Sequence, residues 1–176
     1  MTTFLEQSAA ARQAQETHIR QEVLNEEERA TFTGLKYYPA DERYVFRLRP
    51  QLASEPQDTE RPTSRGETRH FLRGGTVTVP FPEGEATLTL YAAATDTGLE
   101  HLFIPFRDAT SGRETYGAGR SLNVTREGDD VVLDFNRANN PHCAYGDRWN
   151  CALPPAENCL AIAVPVGEKL YRQTGG

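Results

Sequence analysis

A chain of 176 residues, 38% hydrophobic and 25% charged, has the size and composition of one folded domain and excludes a disordered polymer. Its 25 acidic residues outnumber 19 basic ones for a net charge of −6, the wrong sign for a surface that draws on clustered Lys and Arg to hold phosphate backbones, so no nucleic-acid partner is expected. The first residues lack a basic start with an apolar run, and no window approaches the ~20 apolar residues of a membrane span, which points to a soluble, cytoplasmic protein with no membrane partner.

In chain order, residues 1–32 read as a helical segment. Thr3 with Glu6 has capping-box spacing, and Asn25 with Glu28 repeats it, marking a second short helix or a break. Leu5, Ala9, Ile19 and Val23 form a weak apolar stripe interrupted by Arg12 and Glu16, the pattern of a helix lying on a surface.

From residue 33 to 176 the period changes to two. Tyr44, Phe46 and Leu48 alternate with Val45, Arg47 and Arg49. The Pro-, Ser-, Thr- and charge-rich stretch Pro50 to Arg65 reads as a surface loop. Thr76–Val79 and Ala86–Tyr91 flank Pro82-Glu83-Gly84 as a hairpin. Further strands are expected at His101–Phe106, Arg120–Val124, Val131–Phe135 and Cys159–Val166. Closely spaced strands with tight turns imply a mainly β fold, an antiparallel β-sandwich or partly open β-barrel behind an N-terminal α-helix.

Unusual polar chemistry is concentrated between Pro105 and Asn158. The first part, through Arg120, carries Arg107, Asp108, Thr115, Tyr116 and Arg120 among three glycines. Alternation with Leu122 and Val124 turns Arg120 inward, where a guanidinium requires a carboxylate or an anionic ligand. Asp134 is the partner that the strand pattern offers. A structural Arg–Asp pair and a ligand contact both fit. The glycine spacing matches neither a phosphate loop nor a dinucleotide fingerprint, and Ser111 lacks the flanking glycines of a nucleophile elbow; no cofactor is expected. The second part, Asp134 to Asn158, is long and aperiodic yet holds Tyr145 and Trp149, as an ordered functional loop does.

Cys143, Cys151 and Cys159 are an odd number of thiols in an expected reducing compartment, which argues against a disulfide framework. Zinc held by His142, Cys143 and Cys151 has suitable ligand types, but the spacing misses the usual close pairs. Cys143 is a candidate catalytic thiolate, activated by His142 or, since sequence neighbours seldom point at each other, by His70 or His101. Buried, inert thiols are the third reading.

Pro105–Gly112, Glu114–Gly117, Gly119-Arg120, Asp134–Arg137, Asn140-Pro141, Cys143–Tyr145, Cys151, Pro154-Pro155 and Glu157-Asn158 form an ordered motif set. Together with Phe32–Leu35 and Tyr37–Pro39 they resemble the bacterial and archaeal family called domain of unknown function 1684. Asn139 stands where the pattern has an aromatic and Ala152 where it has proline, while Cys159 lies outside it. The resemblance implies no activity.

The expectation is a pocket formed by loops 105–120 and 134–158 that binds a small polar or anionic molecule, with hydrolase-like chemistry compatible. Arg107 and Arg120 would bind the anion. Asp108, Asp134 or Glu157 would serve as charge partner or base, with Asp108, Asp134 and Cys143 as catalytic candidates. Thr115, Tyr116, Asn136, Asn140 and Asn158 would supply neutral hydrogen bonds. The rival readings are an interaction module whose Arg–Asp–Asn network only locks the loops, and a thiol enzyme using Cys143.

Overall fold

The computed structural model describes residues 1–171. Both capping boxes form. Thr3 and Glu6 close the start of α1 (Phe4–His18), and Asn25 and Glu28 open α2 (Glu26–Ala30), so each helix begins where a side chain satisfies its free N–H groups. Between them lies a π-helical turn, Ile19–Val23. Of the apolar stripe, Ile19 and Val23 are buried with Leu24 and Tyr145, while Leu5 is 65% exposed. The body of α1 is tied down by polar contacts instead: Arg12 Nη2 donates to the Tyr38 carbonyl at 2.7 Å, and Glu16 accepts from the Leu35 N–H at 2.8 Å. Among the described residues no helix is long and apolar enough to cross a membrane.

The rest is one antiparallel sheet of seven strands: β1 (Val45–Leu48), β2 (Gln51–Pro62), β3 (Thr68–Phe81), β4 (Gly84–Ala93), β5 (Leu102–Phe106), β6 (Arg120–Glu127) and β7 (Asp130–Asp134). Their order is β1-β7-β6-β5-β4-β3-β2, a meander from β2 to β7 with β1 added beside the last strand. The sheet is not closed, yet it curls enough for Phe46 of β1 to meet Phe81 of β3 edge-on at 5.5 Å, with Phe135 packed against both. Period-two patterning sends Val77, Val79, Leu88, Leu90, Leu122 and Leu133 into this core.

Two segments differ from their sequence reading. The stretch Pro50 to Arg65 is mostly strand, because β2 pairs with β3 from Gln51↔Thr76 to Pro62↔Thr68. As an edge strand, β2 exposes most of its side chains and shows no apolar alternation, and Pro56 falls within the register break between Leu52 and Gln57, where no ladder donor is needed. Conversely, Cys159 to Val166 forms no strand of the sheet. Side chains take up its backbone groups: Asp108 accepts the Val164 N–H at 2.7 Å, and Arg120 donates to the carbonyls of Val164, at 2.9 Å, and Val166.

Asn158 performs a related service inside the sheet. β4 and β5 share only the pair Tyr91↔Phe103. Beyond it, Asn158 Oδ1 accepts from the Thr89 N–H at 2.8 Å, while Nδ2 donates to the carbonyls of Thr89 at 3.0 Å and Pro105 at 2.9 Å. Replacing Asn158 with alanine leaves these buried groups unpaired, and urea unfolding is expected to show a loss of about 2–4 kcal/mol. A loss well under about 1 kcal/mol would show that the amide does not stitch the strands.

Candidate functional site

Arg120 opens β6 opposite Phe106 of β5, and Asp108 lies two residues beyond Phe106, on the same face. This register makes Asp108 the partner of Arg120, at 3.3 Å with both side chains at or below 1% exposure. Asp134 is not that partner. It ends β7 and turns back to accept from the Asn136 N–H at 3.0 Å and Nδ2 at 2.9 Å. Asp108 is fully engaged, accepting from Thr110 and Ser111 hydroxyls on Oδ1 and from Arg120 and the Val164 N–H on Oδ2. Thr115 shares a 2.9 Å hydroxyl contact with Thr110 beside it. Arg120 stacks its guanidinium 5.1 Å from the Phe106 ring centroid, yet its Nε has no acceptor among the described residues. Burial lowers its pKa, and Asp108 opposes that shift.

Loops 105–120 and 134–158 meet over a cavity of about 150 Å³. Pro105, Gly119 and Arg120 come from the first loop, Pro141, Cys151 and Pro154 from the second, and Arg61, Arg69, Phe71 and Phe103 from the strands beneath. Gly119 has φ +97°, and a Cβ there would lie 2.6 Å from the Phe106 carbonyl, so glycine lets the backbone turn against the cavity wall.

Arg61 is the singular feature of this cavity. It is 3% exposed, sandwiched between Phe71 (4.8 Å) and Tyr91 (5.2 Å), with Nε and Nη2 sharing the Leu153 carbonyl at 3.0 and 2.6 Å. Its Nη1 has no acceptor, and no carboxylate of the described residues ion-pairs with it. Desolvation pulls its pKa down to about 10, which still leaves it protonated at neutral pH. A buried charge is ordinarily paired. This one is met by rings and a single carbonyl.

Cys143 and Cys151 are both half-buried free thiols that lie together: the Cys143 N–H donates to Cys151 Sγ at 3.4 Å, and Tyr116 Oη donates to Cys143 Sγ at 3.5 Å. The Cys143 thiol donating to Cys151 pulls the Cys151 pKa down to about 6, helped by the backbone N–H groups of Cys143 and His142 and by Arg69, while the Cys143 thiol is pushed up by the same neighbour and by burial. His142 does not join them as a ligand; its ring packs edge-on against Trp149 at 4.9 Å and beside His18 at 5.7 Å. Among the described residues no group of three His, Cys, Asp or Glu could hold a metal ion. His70 faces Asp58 on the exposed side of β3, and His101 is exposed on the turn before β5, so among the described residues neither is a partner of Cys143.

The remaining sequence candidates are dispersed. Asn140 donates to Glu168 through its N–H and Nδ2, both at 3.0 Å, and Tyr145 donates to the same carboxyl. Asn136 bridges to the backbone of Asp41. Asp134 and Asn136 line a separate cleft of about 560 Å³ between α1 and the sheet, where Arg12 feels Asp134 as a nearby acid. Glu157 pairs with Arg73 and accepts from Tyr91. Arg107 is exposed, and its backbone bonds Asn158 and Leu160.

Arg61 and Glu168 escaped the sequence reading. Arg61 sits in the stretch read as loop, and its single signal was a strand alternation masked by an exposed edge. Glu168 is 0% exposed, an acid near the chain's end with no motif around it.

A family model described as "Protein of unknown function (DUF1684)" matches residues 30–169. The chain belongs to this family. Within DUF1684, the matched span takes in the whole sheet and both loops of the cavity and leaves α1 outside. The solution NMR structure of the uncharacterized protein from gene locus rrnAC0354 of Haloarcula marismortui is similar over 93% of this chain and 92% of that one, at 33% identity and a TM-score of 0.71. No curated protein matches this DUF1684 member.

Proposed function

We propose that this DUF1684 domain binds a small organic anion in the cavity between loops 105–120 and 134–158, with Arg61 as the residue that recognises its charge. The observation that carries this reading is the buried guanidinium of Arg61, which among the described residues has no acceptor for Nη1 and no acid to pair with it. Arg120 Nε, also unpaired, belongs to the same wall. Two buried guanidiniums in one cavity wall, each with an N–H that has no acceptor among the described residues, favour a carboxylate or phosphate as the partner.

The cavity's size bounds the ligand. About 150 Å³ is close to the volume in which an engineered apolar cavity holds benzene, so a ligand on the order of six to nine heavy atoms is expected. Phe71, Phe103 and the prolines would pack its apolar body. Supporting the choice over the larger cleft under α1 is the charge of the linings: the cleft carries Glu127 and Asp134, the smaller cavity three arginines and no acid. The reading places the protein in a soluble, intracellular setting, in keeping with three free thiols.

The test is a thermal-shift titration with benzoate and with inorganic phosphate. A ligand at about 100 times its Kd adds about 2.7 kcal/mol, which raises the melting temperature of a domain this size by roughly 5–10 °C. Arg61→Met is expected to abolish the shift, while removal of an uncompensated buried charge offsets the loss of its bonds to the Leu153 carbonyl in the unliganded protein. No shift with either acid, or an undiminished shift in Arg61→Met, would refute the assignment.

A further inference from the structure

We infer that Cys143 and Cys151 form a redox-active dithiol in which Cys151 attacks a small hydroperoxide and Cys143 resolves the product to a disulfide. The inference rests on the placement of the two sulfurs and not on whether the cavity holds an anion. Three observations converge on it. The thiols lie close together within one loop: the Cys143 N–H donates to Cys151 Sγ at 3.4 Å, and the Cys143 side chain acts on the same sulfur. Tyr116 Oη, at 3.5 Å, positions the Cys143 sulfur from the other side. Cys151, and not Cys143, lines the cavity, with Arg69 close enough to favour a negative sulfur there.

Each sulfur then has a distinct role. Donors converge on Cys151 and hold it as the thiolate, the form that acts as nucleophile. Cys143 is kept protonated by its negative neighbour and by burial. In the first step the Cys151 thiolate sulfur attacks the distal oxygen of the hydroperoxide. The O–O bond breaks, the alkoxide leaves and takes up a proton, and Cys151 becomes a sulfenic acid. Oxidation erases the negative charge that held Cys143 protonated. Its sulfur then attacks Cys151, the S–O bond breaks, and hydroxide leaves with the Cys143 proton as water. Two thiols have given up two electrons, and the peroxide has become an alcohol and water. A dithiol reductant returns the pair to thiols.

Size favours this class of oxidant. A cavity of about 150 Å³ has room for hydrogen peroxide or a short alkyl hydroperoxide beside Cys151.

The experiment uses the full chain carrying Cys159→Ser, because trypsin leaves Cys151 and Cys159 on one peptide and Cys159 is exposed, its thiol donating to the Pro155 carbonyl. Brief treatment with hydrogen peroxide is expected to remove about 2 Da and to join the Cys143 peptide to the Cys151 peptide, reversibly with dithiothreitol. With Cys143→Ser added, dimedone should trap a sulfenic acid at Cys151; with Cys151→Ser added, trapping at Cys143 should fall at least about 10-fold. In case a double variant folds poorly, alkylation of the unmutated protein near neutral pH supplies a second measure, with Cys151 labelled about 10-fold faster than Cys143. Failure of the native pair to lose two hydrogens, or equal reactivity of the two cysteines, overturns the inference. The disulfide is read by mass and anion binding by melting, so either reading can fail alone.

Discussion

Asp108→Ala is expected to lower the free energy of unfolding by about 3–5 kcal/mol, because it strands the guanidinium of Arg120 in the interior. Arg120 is 2% exposed and its only ion-pairing acid among the described residues is Asp108. The carboxylate also holds the Val164 N–H and two hydroxyls, so its removal unties the segment after Cys159 from the sheet as well. In a domain of this length such a loss moves the melting temperature by roughly 10 °C or more. Asp134→Asn is the control. Its oxygen still accepts from Asn136, its side chain is 18% exposed, and about 0.5–1 kcal/mol is the expected loss. Equal losses at the two positions in urea titrations would show that Arg120 does not depend on Asp108.

Glu168 sets the second large effect, a slope of stability with pH. Burial raises its pKa from 4.5 to about 7, against the pull of hydrogen bonds from Tyr145 and Asn140 and the charge of Arg120. Between those values the folded chain keeps a proton that the unfolded chain releases, so the stabilisation from this group is fully present below the unfolded pKa and disappears as pH rises through about 7. The shift corresponds to roughly 3 kcal/mol lost between acid and mildly alkaline solution. Glu168→Gln removes the titration and keeps an oxygen for the Asn140 N–H, while its amide nitrogen replaces the oxygen that accepts from Asn140 Nδ2 and Tyr145, so the pH slope and not the absolute stability is the readout. Unfolding free energies at about pH 5 and about pH 8 should therefore differ less in the variant than in the wild type, by that amount. Parallel pH profiles would show that Glu168 ionises normally in the fold.

These two predictions separate the roles of the polar residues. The Asp108–Arg120 pair and the Asn158 amide replace missing ladder bonds, so their loss shows in stability. Arg61 holds the Leu153 carbonyl and packs between two rings, and on the proposed binding reading its replacement should show in ligand affinity rather than in stability. Much of the polar density that marks loops 105–120 and 134–158 in the sequence thus serves the fold, while the arginine of the proposed binding role comes from β2.

Local chemistry was legible from the amino-acid order. Capping boxes act over three residues, a hairpin turn over two, and alternation along one strand is enough to place Arg120 inward with Leu122 and Val124. The antiparallel architecture followed from strand spacing, and the motif set from Pro105 to Asn158 carried the family. Partner choice depended on registers between distant segments. Phe106↔Arg120 selects Asp108 over Asp134, and an edge strand exposed along most of its length turns Arg61 alone beneath rings of β3 and β4. Burial of Glu168 and the meeting of Cys143 with Cys151 are likewise products of loop packing. Secondary structure is specified by forces that act within a few residues; the desolvation and charge pairing that make a site depend on which segments the folded chain brings together.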